Sequence, residues 1–212
     1  RWARIKLHEP MLNPVMEEPA RRVLGLTGKQ LENIIAGREQ LHGRTGMEAI
    51  AKALDAIDLP KEIALARQQI RSGTKTAKDA ARRRLSYLKA AEDLKIHPRE
   101  WVLDSVPVLP PVFRPISMMT GPRKAPIVAD ANLLYKELWD ANENLKAMKE
   151  VVGDEVGDER LALYNAFKAV TGLGDPLNPK LQEKRVKGLL AGVFGSSPKH
   201  GVGQYKLIGS AG

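Results

Sequence analysis

The first regular pattern along the chain is an alternation: Arg4-Ile5-Lys6-Leu7 puts polar and apolar side chains on opposite faces of a strand. Beyond it the period becomes helical. Val23, Leu24, Leu31, Ile34 and Ile35 form an apolar stripe over 20–36, and Gly25 and Gly28 predict a break inside it. Met47, Ile50, Ala51, Leu54 and Ile57 repeat the spacing after Gly46. Pro60, a favoured first-turn residue, then opens another helix, so two packed helices are expected to join near Asp58. Over 60–94 the helical pattern is split by Ser72-Gly73-Thr74, which predicts a helical hairpin.

Pro98, Pro107, Pro110, Pro111, Pro115, Pro122 and Pro126 follow, and they forbid a long helix across 104–128, imposing extended or turn conformations instead. Segments of this length without regular structure are usually functional or disordered. Helical spacing returns over 130–152, where Leu134, Leu138, Leu145 and Met148 share a face. After Gly153-Asp154-Glu155-Val156-Gly157 a second helix, with Leu161, Tyr164 and Val170 inward, runs to Thr171. So short a connection makes the two helices antiparallel, as a helical hairpin or coiled coil. A basic helix is expected over 180–194, and Gln204-Tyr205-Lys206-Leu207-Ile208 alternates like a short strand. The predicted fold class is mainly α with a few short β-strands.

At 212 residues with 43% hydrophobic side chains, the chain can bury a core as one ordinary domain or two small ones. Charge changes the picture more. Thirty-four Lys and Arg against 25 Asp and Glu leave a net charge of +9, which favours polyanionic partners such as nucleic acid. The distribution is uneven: Arg67, Arg71, Lys75, Lys78, Arg82, Arg83, Arg84 and Lys89 make the 60–94 hairpin basic. The 130–160 hairpin, with nine acidic and four basic residues, is net −5. The absence of Cys excludes disulfides, thiolate zinc sites and cysteine nucleophiles. No window carries the roughly 18 consecutive apolar residues of a membrane span, so a soluble protein of the cytoplasm or nucleoid is expected. The first residue is not Met, which suggests a start cut from something longer.

Most catalytic devices are missing. No Walker loop is present, and Gly201-Val202-Gly203 lacks the third glycine of a dinucleotide fingerprint. There is no Gly-x-Ser-x-Gly elbow and no His-Glu-x-x-His pair. Asp154, Glu155, Asp158 and Glu159 read as a solvated hairpin tip rather than a metal cage, and no aspartate cluster suits a two-metal polymerase centre. His97 precedes Pro98 at a helix boundary, while His200 lies in a basic loop where phosphate contact is possible. Arg82-Arg83-Arg84 can pair with phosphates but reads first as an exposed helix face.

One stretch is specific. Trp101-Val102-Leu103-Asp104-Ser105-Val106-Pro107-Val108-Leu109-Pro110-Pro111-Val112-Phe113-Arg114-Pro115 resembles the Pro-rich motif of the β′ (largest) subunit of multisubunit RNA polymerase. Gly46-Met47-Glu48-Ala49-Ile50 and Ile57-Asp58-Leu59-Pro60-Lys61-Glu62 look like the β′ stretch before its basic helices. Ile5-Lys6-Leu7-His8-Glu9-Pro10 looks like its post-zinc-ribbon strand, and Asn132-Leu133-Leu134-Tyr135 resembles the start of its clamp helices. Pro198-Lys199-His200-Gly201 through Lys206-Leu207-Ile208-Gly209 is similar to the switch region.

The resemblance implies a layout: a clamp-head helical region over 1–105, a Pro-rich motif and lid over 106–129, the clamp coiled coil over 130–172, and a rudder-like and switch region over 173–212. The chain would stop before the catalytic domain, so it would be inactive alone, with no cofactor of its own and Mg2+ expected in the complete polymerase. Template DNA and nascent RNA would meet Arg114, Arg123, Lys124, Lys184, Arg185, Lys187, Lys199, His200 and Lys206. An initiation factor, of σ type or specific to a phage, would dock on Tyr135, Leu138, Trp139, Asn142 and Lys146. Further partners would be β-like and remaining β′-like segments, with no membrane, in the cytoplasm of a cell, a phage-infected one included, or in a virion. The chain departs from the family where Lys136-Glu137-Leu138-Trp139-Asp140 replaces an arginine-rich run, which makes Trp139 the alternative anchor, and where Val202, Gly203 and Gln204 replace switch-loop arginines and a Phe. These departures and the lack of cysteine suggest a large-phage enzyme. Two rival readings are a stand-alone clamp mimic that sequesters an initiation factor and a generic basic nucleic-acid-binding protein.

Overall fold

The computed structural model describes residues 2–118 and 126–190. The chain is mainly α and forms two compact units, Glu9–Leu103 and Arg1–His8 with Asp104–Gly212. Strands β1 (Arg4–Leu12) and β2 (Val102–Pro107) pair, and each runs from one unit into the other. Within Glu9–Leu103, Asn13 N donates to Trp101 O at 2.8 Å; in the other unit, Val108 N donates to Ala3 O at 2.8 Å. The alternation expected for four residues extends over nine, with Ile5, Leu7, Glu9 and Met11 buried. Pro10 is tolerated there because it sits at an exposed position of a strand with a single neighbour.

In the Glu9–Leu103 unit, helices α1 (Glu17–Leu24), α2 (Gly28–Ile35), α3 (Gly46–Asp55), α4 (Leu59–Ser72) and α5 (Lys75–Leu94) fall where the apolar spacing predicts them. Local chemistry sets their ends. Gly25 closes α1 at a left-handed φ of 70°, and Thr27 with Gln30 forms a reciprocal capping box at the start of α2. Asp58 caps α4 through Lys61 N at 3.2 Å, and Thr74 caps α5 through Ala77 N at 3.4 Å. Between them a Cβ on Gly73 would lie 2.6 Å from Gln69 O, so the hairpin bend needs glycine. Leu12, Leu31, Ile34, Ile35, Ile50 and Leu54 fill the core, and Glu62 pairs with Arg84 across the α4–α5 hairpin. His97 is structural: Nδ1 accepts from Arg99 N at 3.2 Å, which leaves a protonated Nε2 to donate to Ile57 O at 2.8 Å.

In the other unit the prolines produce turns and short strands, as expected of residues that cannot continue a helix. A 3-10 turn, Pro111–Phe113, precedes β3 (Ile116–Met118), which pairs antiparallel with β4 (Pro126–Val128), Ile116 opposite Val128. Helices α6 (Asp130–Val152) and α7 (Gly157–Thr171) then form the predicted hairpin, burying Leu134, Leu138 and Leu145 with Leu163, Tyr164 and Phe167. Met148 is half-buried near the tip.

The helix expected over 180–194 is interrupted: α8 (Pro179–Glu183) has five residues. Arg185 turns left-handed at φ 52°, Val186 N bonds back to Leu181 O at 3.1 Å, and buried Gly188 presses on the end of α7. That contact, which no side-chain periodicity signals, ends the helix. The strand expected over 204–208 lies outside the described residues. Among the described residues no helix is long and apolar enough to cross a membrane.

A Cβ on Gly188 would lie 2.2 Å from Gly172 N and 2.3 Å from Ala169 O, both backbone atoms. Gly188→Ala is expected to cost about 1–3 kcal/mol and to lower the thermal midpoint by roughly 2–12 °C in a calorimetric scan. An unchanged midpoint would show that residue 188 does not seat on α7.

Candidate functional site

Two polar residues on the inward face of α6, Tyr135 and Asn142, are buried and seven positions apart. Asn142 Nδ2 donates to Lys6 O at 3.0 Å, and its Oδ1 accepts from His8 N at 2.9 Å. One amide thus serves β1 as a second strand would. On the outer side, His8 Nε2 lies 3.0 Å from Glu143 Oε1. Two turns toward the start of α6, Tyr135 Oη donates to Pro107 O and accepts from Leu109 N, both at 3.1 Å. Burial raises the pKa of Tyr135, against the lowering effects of the Leu109 N–H and of Arg114, so the phenol is held as a neutral donor.

The Pro-rich stretch is fastened further. Arg114 Nε donates to Leu109 O at 2.7 Å and its Nη1 to Asn132 Oδ1 at 2.7 Å, while Asn132 Nδ2 donates to Arg114 O at 2.8 Å. Glu137 accepts from Leu177 N at 3.0 Å and Asn178 N at 2.7 Å, and Asp130 Oδ2 accepts from Lys187 N at 3.2 Å. The first half of α6 therefore organises three irregular segments: residues 107–115, residues 177–178 and the backbone at Lys187. Prolines lack N–H donors, so these segments cannot satisfy themselves in a ladder and take their partners from side chains.

The outer face of α6 is different. Trp139 is 51% exposed, Glu143 and exposed Lys146 share its stripe at four and seven residues, and Lys136 pairs with Asp140. The Pro-rich turn and the β3–β4 pair add exposed Val112, Phe113, Ile116, Met118 and Ile127.

The expected contact residues divide accordingly. Tyr135, Leu138 and Asn142 are not available to a partner: they are buried, because their groups complete the backbone of their own unit or pack its hairpin. Trp139 and Lys146 remain on the surface. Arg114 is half-buried and bonded to Leu109 and Asn132, so its guanidinium positions the Pro-rich turn. Lys184, Arg185 and Lys187 are exposed together after α8. Arg123, Lys124, Lys199, His200 and Lys206 lie outside the described residues. The pattern of the sequence missed Asn132 as a clasp and Glu137 and Asp130 as backbone acceptors, since their partners are 18 to 57 residues away and nothing local marks them. Among the described residues no three His, Asp or Glu side chains gather as metal ligands.

Two substitutions test these supports. Asn142→Ala leaves two backbone groups without partners and is expected to cost about 2–4 kcal/mol, read as a lower denaturation midpoint. Tyr135→Phe should cost about 1–3 kcal/mol at neutral pH. Because the folded-state pKa lies above the ordinary 10.0, the unfolded phenol ionises first, so Tyr135 stabilises fully below pH 10.0 and loses that contribution as pH rises through the folded value. The stability gap between wild type and Tyr135→Phe should therefore narrow above pH 10.0; a constant gap would show that the phenol is not a buried donor.

No family model matches the chain. It is similar to several curated bacterial proteins named DNA-directed RNA polymerase subunit β′. It is 35% identical to that of Acholeplasma laidlawii over 128 residues, which cover 59% of this chain and 9% of that subunit. The Acidothermus cellulolyticus subunit is 32% identical over 134 residues, 62% of this chain and 10% of the subunit. The Bacillus mycoides subunit is 31% identical over 135 residues, 63% and 11%. The chain thus spans about a tenth of the length of the curated relatives it matches. With about a third of its residues shared over three-fifths of its length, the chain is a divergent relative of a segment of the RNA polymerase β′ subunit.

Proposed function

We propose that the chain forms the clamp region of a β′-type subunit of a DNA-directed RNA polymerase, holding template DNA and nascent RNA while other parts of the enzyme join nucleotides. The observation that carries this reading is the 31–35% identity to β′ subunits in a chain whose Pro-rich segment is fastened to one helix by Tyr135, Arg114 and Asn132. On this reading residues 118–129 are the lid, which separates nascent RNA from template DNA. Exposed Lys184, Arg185 and Lys187 line the nucleic-acid path, continued by Arg123, Lys124, Lys199, His200 and Lys206. The catalytic Mg2+ belongs to other polymerase segments, with which this chain assembles, and the chain alone makes no phosphodiester bond. The cytoplasm is the compartment that this role implies.

The α6–α7 hairpin is the docking site for an initiation factor on the same reading. What supports it is a large exposed aromatic, Trp139, above a seam that is already packed, flanked by Lys146. Aromatic anchors of this kind carry much of the energy of protein interfaces. The net charge of −5 over 130–160 favours a second reading, a stand-alone mimic that binds the factor and no nucleic acid.

Titration of a labelled bacterial σ-type factor with the full chain tests the docking surface. Trp139→Ala is expected to weaken binding at least tenfold with an unchanged melting temperature, as an exposed anchor requires; equal affinity would remove the α6 face from the interface. Loss of RNA–DNA hybrid binding in the triple variant Lys184→Gln, Arg185→Gln, Lys187→Gln supports the polymerase reading. A wild-type chain that binds the factor but no hybrid points to the mimic.

A further inference from the structure

The segment after α7 has no helix or strand beyond the five residues of α8, yet one stripe of α6 holds it at both ends. Asp130 and Glu137 are seven residues apart, two turns and about 10.5 Å along the same side of that helix. Half-buried Glu137 takes the incoming end: Oε2 accepts from Leu177 N at 3.0 Å and Oε1 from Asn178 N at 2.7 Å, so both carboxylate oxygens are used. Asp130 Oδ2 takes the outgoing end through Lys187 N at 3.2 Å. Between them the segment closes on itself. Asn178 Oδ1 accepts from Lys180 N at 3.0 Å, Gln182 Nε2 donates to Pro176 O at 2.7 Å, and Val186 N donates to Leu181 O at 3.1 Å.

These ties engage backbone, and what they leave outside is charge. Lys184, Arg185 and Lys187 are exposed, and among the described residues no carboxylate pairs with their side chains. Arg185 has a left-handed φ of 52°, a conformation that residues other than glycine keep only where the surrounding structure holds them. The turn that groups the three cations therefore depends on its ends being held. Within Lys136–Asp140, the run by which this chain departs from the family it resembles, Glu137 is the residue committed to its own backbone: Lys136 and Asp140 pair with each other, Leu138 is buried and Trp139 is exposed. A basic side chain at 137 has no acceptor to offer Leu177 N and Asn178 N.

We propose that Glu137 is a positioning residue: by holding Leu177 and Asn178, while Asp130 holds Lys187, it sets the geometry at which Lys184, Arg185 and Lys187 meet the phosphates of an RNA–DNA hybrid. This rests on the reading of those three cations as part of the nucleic-acid path. Phosphate contact rewards positive charge, so a carboxylate tied to the same segment opposes binding unless it contributes in another way. Pre-organisation is that contribution. The apparent affinity of a site scales with the fraction of chains in which the site is already formed, and charge-assisted hydrogen bonds to two backbone N–H groups raise that fraction.

The test is fluorescence anisotropy of a labelled RNA–DNA hybrid titrated with the full chain at several salt concentrations, with Asp140→Ala as the charge control. Glu137→Ala and Asp140→Ala each remove one negative charge from α6, but Asp140 bonds to Lys136 and not to residues 177–187. Charge alone predicts equal or tighter binding for both. Positioning predicts that Glu137→Ala binds about tenfold more weakly while its salt slope changes by less than about one phosphate contact, because the bound state keeps its cations. Glu137→Gln, which retains one acceptor, should fall between Glu137→Ala and wild type. In the Lys184→Gln, Arg185→Gln, Lys187→Gln background the Glu137→Ala loss should vanish, a coupling that general destabilisation does not produce. Limited trypsin digestion reads the loop without a ligand: cleavage after Lys184, Arg185 and Lys187 should speed by about tenfold or more in Glu137→Ala, following the open fraction. Melting curves check that each variant folds. Equal or tighter hybrid binding by Glu137→Ala, where the triple variant still loses affinity, overturns the proposal and leaves the nucleic-acid reading of the cations standing. So does a Glu137→Ala loss that persists in the triple background. A wild-type chain that binds no hybrid, or a triple variant that binds like wild type, removes that reading and the proposal with it.

Discussion

A buried polar group is costly unless each of its donors and acceptors is matched, and on α6 that requirement is met by backbone groups of β1 and of the Pro-rich stretch. Asn142 supplies one amide to two backbone groups of β1, and Tyr135 supplies one hydroxyl to Pro107 and Leu109. The arrangement is reciprocal: the helix needs those partners to bury its polar residues, and the strand and the Pro-rich stretch need the helix to fix their path. The further clasps, Arg114 with Asn132 and Glu137 with residues 177–178, extend the same logic to both sides of the helix. An apolar α6 could pack against α7 equally well, but it would leave three irregular segments without direction.

Charge separates the two hairpins of this protein as strongly as packing makes them alike. Both are antiparallel helix pairs with a glycine-containing bend, yet α4–α5 holds most of the net positive charge and α6–α7 is acidic. The net charge of +9 is therefore a poor guide by itself: it sums a strongly basic hairpin and an acidic one.

Much of the architecture could be read from residue spacing. The bend at Ser72-Gly73-Thr74, the break at Gly25 and the hairpin around Gly153 are local events, set by capping side chains and left-handed glycines a few residues away. Helix α8 shows where this ends: Lys180 to Phe194 has helical composition, but Gly188 docks on α7 and Arg185 turns to allow it. The candidate site was legible in part. Trp139 stands exposed and Leu138 is buried with the apolar repeat to which it belongs, while nothing in the one-dimensional pattern marks Tyr135 and Asn142, which lie inside, as internal.

By itself, then, the sequence determined the helices, their caps, the proline-driven extended segment, the placement of charge and the likeness to β′ subunits. All of these depend on residue type and near neighbours, and helix formation and capping are interactions over three or four residues. The tertiary structure alone decided which polar side chains are internal supports and that β1 runs to nine residues. Those outcomes turn on which backbone groups lack partners after the chain has folded, and the groups that answer them stand as far away as 136 residues.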